Sequence, residues 1–247
     1  MIGISTLAYS DKDLAECLSE IEKNAPLAEI FSEGIHDVIH SGKGDILSSF
    51  SLSYSIHAPT QDINLASVRE AVRKTGVGII QESAEFCMNH DIDVLVVHPG
   101  YTADKKILPL AYKSLEKSIS DLQKIKEETG VQICIENMPN AEIYLFKAPD
   151  DIDLKAKDLG LVLDISHAQT SNNLNEFLQK EIAHYHIHDN HGDFDAHLSF
   201  GEGVIGFPVL EQIVQKAKKE GATLIAENRT GEDAMKTVEM LKKAGAR

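Results

Sequence analysis

VLVVHPG at residues 94–100, a polar and apolar stretch over residues 104–129, and VQICIENM at residues 131–138 form one repeating unit whose reading decides the fold. Val94–Val97 is a continuous apolar run, as in a parallel strand covered on both faces. Leu108, Leu115, Ile119, Leu122 and Ile125 recur at helical spacing, and Thr129-Gly130 supplies a stop signal. The unit therefore reads strand, helix, strand, with His98 and Glu136 at the same end of their strands.

Working outward, the same alternation predicts strands at Ile2–Ser5, Ala28–Phe31, Ser53–His57, Val94–His98, Val131–Glu136, Leu161–Ile165, Ala183–Ile187 and Thr223–Glu227. Eight such cycles in 247 residues predict an α/β chain with a single (β/α)8 TIM barrel over residues 1–247. Helix starts are expected at Ser10-Asp11, Asp104 and Pro208, where capping or a pre-set φ suits a first turn. The longest loop is expected from Asp189 to Phe207.

An apolar content of 43% is enough for a full core without cross-links. Cys17, Cys87 and Cys134 are odd in number and lack CxxC spacing, which argues for a reducing, intracellular setting. The N-terminus MIGISTLAYS has no basic flank, and no long apolar run follows, so neither a signal peptide nor a membrane span is expected and the reading is cytoplasmic. A net charge of −15 opposes long-range attraction to nucleic acid, although bound cations would offset it locally.

The chemistry lies at the strand ends. SIHAP (55–59), VVHPG (96–100), CIENM (134–138), LDISH (163–167), YHIHD (185–189) and IAENR (225–229) deliver histidine or carboxylate to the carboxyl-terminal mouth, where barrel enzymes build their sites. Glu136, Asp164 and Glu227 directly follow apolar runs, where unpaired carboxylates are costly and cations relieve the cost. Imidazole and carboxylate without thiolate suit zinc, manganese or iron. Several carboxylates in one mouth also favour two or more ions, which lower the pKa of water and clamp a phosphoester.

These pieces, with DAHLSFGEG at residues 195–203, resemble the endonuclease IV and xylose-isomerase-like superfamily along essentially the whole chain. The resemblance implies His57 and His98 for one zinc, with Glu136 bridging. It implies Asp164, His186 and Glu227 for a second, and His167, Asp195 and His197 for a third. His186 is chosen over its neighbours by its match to the HIHD element; His188 is the second choice, and period two puts His184, His186 and His188 on one strand face.

The endonuclease branch implies an apurinic-site hydrolase acting on abasic DNA through a zinc-activated water, with Glu136 orienting the attack. The isomerase branch keeps one metal at Glu136, Asp164, His186 and Glu227 and acts on a small sugar or sugar phosphate. There Glu136 and Glu227 face each other across the mouth as acid and base. A non-catalytic metal or sugar-binding barrel is the third reading. Against DNA stand SEGIHD (32–37) without arginine, Thr60 in place of an aromatic, Ala196 in place of arginine, and the acidic loop DNHGDFD (189–195). Tyr101, Lys105, Lys106 and Arg229 are the phosphate candidates.

Three further patterns carry less. His36-Asp37-Val38-Ile39-His40 imitates HExxH with Asp at the base position, and a short helix is expected there. GEGVIG (201–206) has GxGxxG spacing without a preceding strand, so it reads as a close approach to the metal site. Gly42-Lys43-Gly44 lacks the spacing of a phosphate loop.

Overall fold

The computed structural model describes residues 1–154 and 157–247. Its strands are β1 (Ile2–Ser5), β2 (Leu27–Phe31), β3 (Ser53–His57), β4 (Val94–Val97), β5 (Gln132–Glu136), β6 (Gly160–Asp164), β7 (His184–Ile187) and β8 (Thr223–Ala226). Each pairs with the next in parallel, and β8 closes on β1. The expected (β/α)8 barrel is the fold, with strand boundaries shifted by a residue at several ends.

The helices are α1 (Leu14–Glu22), α2 (Glu70–Asn89), α3 (Leu108–Thr129), α4 (Ile165–Thr170), α5 (Leu174–Phe177), α6 (Phe207–Glu220) and α7 (Gly231–Lys243). Asp104 caps a 3-10 turn that runs into α3, and Gly130 ends α3 at φ 75°. The start expected at Ser10-Asp11 falls instead at Asp13, whose side chain accepts from the Glu16 N–H. Residues 6–9 have already formed a 3-10 turn.

The outer ring is less regular than the alternation suggests. β2 and β3 are joined through 3-10 turns at Gly34–His36 and Gly44–Ser49, and residues 137–159 show no α-helix among those described. That second connection, not residues 188–206, is the longer loop.

Strand residues alternate between two interiors. Leu95, Val97, Ile133, Ile135, Leu161, Leu163 and Tyr185 join the main core under the helices with Leu115, Ile119 and Leu122. Full burial of each such side chain contributes about 1.5–3 kcal/mol. Val96, Cys134 and Val162 form a separate apolar plug inside the barrel. The rest of the interior, on β2, β3 and β7, is polar: Glu29, Ser55, His184 and His186 are fully or almost fully buried.

All three cysteines are free and buried, and burial pushes each thiol up to about 12, so they are inert packing residues. Among the described residues, no helix is long and apolar enough to cross a membrane.

Candidate metal centre

His57, Glu136 and Asp164 are the last residues of β3, β5 and β6, and His98 and Glu227 directly follow β4 and β8. Parallel strands all end at one mouth, so five positions far apart in sequence converge there. His167 arrives by a local device. Asp164 caps α4 by accepting the His167 N–H at 2.7 Å, and the tight turn carries the imidazole back over the mouth.

The two oxygens of Glu136 face different groups. Oε2 lies 3.3 Å from His57 Nε2 and 3.2 Å from His98 Nε2. Oε1 lies 3.3 Å from His186 Nδ1 and 3.2 Å from His167 Nδ1. His186 Nδ1 is also 3.2 Å from Glu227 Oε2 and 4.0 Å from Asp164 Oδ2. Ligand atoms of Glu136, Asp164, His186 and Glu227 all fall within 4.8 Å of one another, as do those of His57, His98 and Glu136. The carboxylates of Glu136 and Glu227, from strands three apart in the ring, thus both reach His186 Nδ1.

Three imidazoles have their tautomer set by backbone carbonyls. His57 Nδ1 donates to Ala58 O at 2.8 Å, His167 Nδ1 to Asn137 O at 2.8 Å, and His197 Nδ1 to Glu227 O at 2.7 Å. A carbonyl only accepts, so each Nδ1 carries a hydrogen and each Nε2 is turned to the centre, where it meets a carboxylate as a donor or, once deprotonated, would meet a cation as a ligand.

The third group is brought in by the β7–α6 loop. Asp195 Oδ2 lies 2.9 Å from His197 Nε2 and 3.4 Å from His167 Nε2. Asp189 anchors the loop: its buried carboxylate accepts the N–H groups of Gly201, Gly203 and Ile205, and its backbone pairs with Leu198. GEGVIG thus wraps Asp189, the residue after His188. His197 sits at φ 52°, a strained setting for a non-glycine residue that the anchored loop enforces.

His188 is more than a spare for His186. Its Nε2 is 2.8 Å from Asp164 Oδ2, its ring stacks on His197 at 4.0 Å, and it forms candidate groups with Asp164 and His167 and with His197 and Glu227. His184 and His186 on β7, and His188 just after it, are all fully buried.

Without cations, protons balance the centre. Burial raises the Glu136 carboxyl, but His186 and His98 outweigh it and hold it well below its ordinary 4.5. Burial also opposes charge on His186 and His167, yet Glu227 and Asp164 respectively lead the carboxylates that hold them well above 6.5. His98 goes the other way, lowered by burial. Asp195 is lowered despite burial by His167 and His197.

Among the described residues, buried His186 Nδ1, His188 Nδ1 and Asp195 Oδ1 have no aligned hydrogen-bond partner. Orphaned ligand atoms converging among buried carboxylates fit divalent cations better than protons, which satisfy one pair at a time.

The sequence reading missed Glu29, although a carboxylate inside LAEIF (27–31) is the signal. Its Oε1 is 2.8 Å from His186 Nε2 and its Oε2 is 2.7 Å from His184 Nε2. Of the phosphate candidates, Lys105 pairs with Glu142, and Tyr101 is 41% exposed and bridges to Tyr144. His36 contacts the backbone oxygen of Lys12 while His40 faces Asp37 and Glu82, so they share no helical face.

Comparison with known proteins agrees with this architecture. A family model described as a xylose isomerase-like TIM barrel matches residues 44–244. The chain is 37% identical over 220 residues to the uncharacterized protein MJ1614 of Methanocaldococcus jannaschii, covering 87% of this chain and 88% of that one. It is 26% identical over 208 residues to a probable endonuclease 4 of Mycobacterium leprae, covering 78% of each. A crystal structure described as a D-tagatose 3-epimerase-like protein superposes with a TM-score of 0.87 at 33% identity, covering 98% of this chain and 96% of the other.

Proposed function

This chain belongs to the xylose isomerase-like TIM-barrel family, and from that premise we propose that it is a phosphoester hydrolase dependent on two or three divalent metal ions, zinc first among them. The observation that carries the reading is the division of Glu136: one oxygen faces His57 and His98, the other faces His186 beside Asp164 and Glu227. A carboxylate so placed could serve two metal positions, and His167, Asp195 and His197 would hold a third.

Bound ions would stabilise the charge on the phosphoryl oxygens and make water acidic enough to attack near neutral pH. The chain's own part is to hold those ions in line. The carbonyl-pinned imidazoles of His57, His167 and His197 need no reorganisation to present Nε2. Glu136 and Glu227 set the negative charge of the centre. His98, 30% exposed at its side chain, and Asp195 at 22% form the open edge by which substrate enters.

An abasic site in DNA is the substrate suggested by likeness to the endonuclease 4 proteins. The net charge of −15 and the acidic loop at residues 189–195 favour a phosphoester smaller than duplex DNA.

A second reading, isomerisation or epimerisation of a small sugar, rests on the four-residue group Glu136, Asp164, His186 and Glu227. That group is complete by itself and leaves two adjacent carboxylates for proton transfer. The epimerase-like structure at 33% identity supports it. It leaves His57, His98, His167, Asp195 and His197 without a task.

The test is elemental analysis of the purified chain, coupled to cleavage of an abasic duplex, hydrolysis of small phosphodiesters, and turnover of a ketose panel. Two or more metals per chain with phosphoester cleavage sustain the proposal. One metal with ketose turnover replaces it by the second reading.

A further inference from the structure

We infer that Glu29 is the positioning residue for His186, holding its imidazole from inside the barrel so that Nδ1 faces the metal position. The inference rests on the metal reading above and adds to it a residue outside the ligand set.

His57, His167 and His197 are each oriented by a backbone carbonyl. Among the described residues, His186 has no comparable carbonyl partner. It lies within β7, paired with β6 on one side and β8 on the other, where the ladder engages the neighbouring backbone groups. The group facing its Nε2 is Glu29 Oε1 at 2.8 Å.

Glu29 is itself held on several sides. Its Oε2 accepts from Ser55 Oγ at 2.9 Å and contacts His184 Nε2 at 2.7 Å, while His184 Nδ1 pairs with Thr223 Oγ1. A polar chain therefore runs through the barrel from β8 to β7, β2 and β3 and ends on His186. Glu29, His184 and His186 are fully buried, so no water competes for these contacts.

Glu29, His184 and His186 also form a candidate ligand group. Their 2.7–2.8 Å separations are those of direct polar contacts. The His186–Glu29 contact is short but off the N–H line, and both ring nitrogens and Glu29 Oε1 lack an aligned partner. A cation on Nδ1 leaves the single ring hydrogen on Nε2, where Glu29 is the acceptor. A carboxylate behind a ligating imidazole fixes the tautomer and strengthens the ligand.

The experiment titrates the metal-stripped chain with Co²⁺, reading affinity and the visible absorption bands, for wild type, Glu29→Gln and Thr223→Val. Glu29→Gln keeps the shape of the side chain. Expected are Co²⁺ affinity about 10- to 100-fold weaker and displaced bands. Thr223→Val, which loosens the far end of the chain without touching a ligand, should shift affinity in the same direction by less.

A Glu29→Gln chain that melts earlier but binds Co²⁺ with wild-type affinity and spectrum has lost only a structural contact, and the inference is wrong. Where Glu29→Gln does not fold, Thr223→Val decides: weaker binding supports the inference and unchanged binding overturns it. A wild-type chain that takes up no Co²⁺ overturns the metal reading itself, and this inference with it.

Discussion

His197 donates from Nδ1 to the backbone carbonyl of Glu227 at 2.7 Å, so a loop residue held at φ 52° is tied to the end of β8. The bond turns Nε2 toward Asp195, 2.9 Å away. Ligand geometry and loop conformation are therefore one feature. His197→Ala should lose about one metal equivalent per chain and most phosphoester hydrolysis, while the Glu136, Asp164, His186 and Glu227 group keeps its ion. Elemental analysis of the variant is the check, and unchanged stoichiometry would remove the third position.

Glu136 and Glu227 should separate the two functional readings. Under the hydrolase reading, Glu136→Gln weakens two metal positions and Glu227→Gln one, so the first variant should lose more metal. Under the isomerase reading both carry protons, and both variants should lose turnover by a similar factor, about 10²–10⁴. Metal content beside turnover, measured on the same two preparations, tells them apart.

Protonation should compete with metal. In the metal-free chain Glu136 is lowered well below 4.5, chiefly by His186 and His98 against its burial, so its contribution to stability is present above 4.5 and fades as pH falls toward the lowered value. His186 and His167 are raised well above 6.5, so theirs is fully present below 6.5 and is lost as pH rises through the raised values. The metal-free fold should therefore weaken on the alkaline side, where cations replace the lost protons. Metal-induced stabilisation should grow as pH rises from 6.5 through the raised values. Denaturant midpoints with and without metal across that range check it, and a constant increment would sink the idea.

The loop anchor predicts a contrast between neighbouring glycines. A Cβ on Gly203 would collide with the backbone oxygen of Asn190 and with Asp189 Oδ1, whereas one on Gly206 meets only Pro208 at 3.6 Å. Gly203→Ala should cost about 3 kcal/mol and release the Asp195 and His197 ligands. Gly206→Ala should cost under about 1 kcal/mol. Urea midpoints and metal content of both variants test this, and equal losses would contradict the anchor.

Much of this was legible in the residues themselves. VLVV before His98, QICI before Glu136 and GLVL before Asp164 mark buried parallel strands with a ligand at the exit. The helical spacing of Leu115, Ile119, Leu122 and Ile125 places α3 against them. Strand type, helix face and the end of a strand at which a side chain stands are local properties, set by periods of two and 3.6 residues that a short window displays. The first turn misplaced at Ser10-Asp11 and the connections at residues 32–52 and 137–159, which hold no α-helix among the described residues, show where weak local signals yielded to packing.

The sequence by itself determined the barrel and the candidate ligands at its mouth. Only the tertiary structure decided that Glu136 turns its two oxygens to different partners, that Asp189 gathers the GEGVIG loop, and that Glu29 meets His184 and His186 from the opposite side of the barrel. Glu29 and His184 lie 155 positions apart. Their meeting depends on how eight strands close and in which register, and that is a property of the whole ring, which no local window contains.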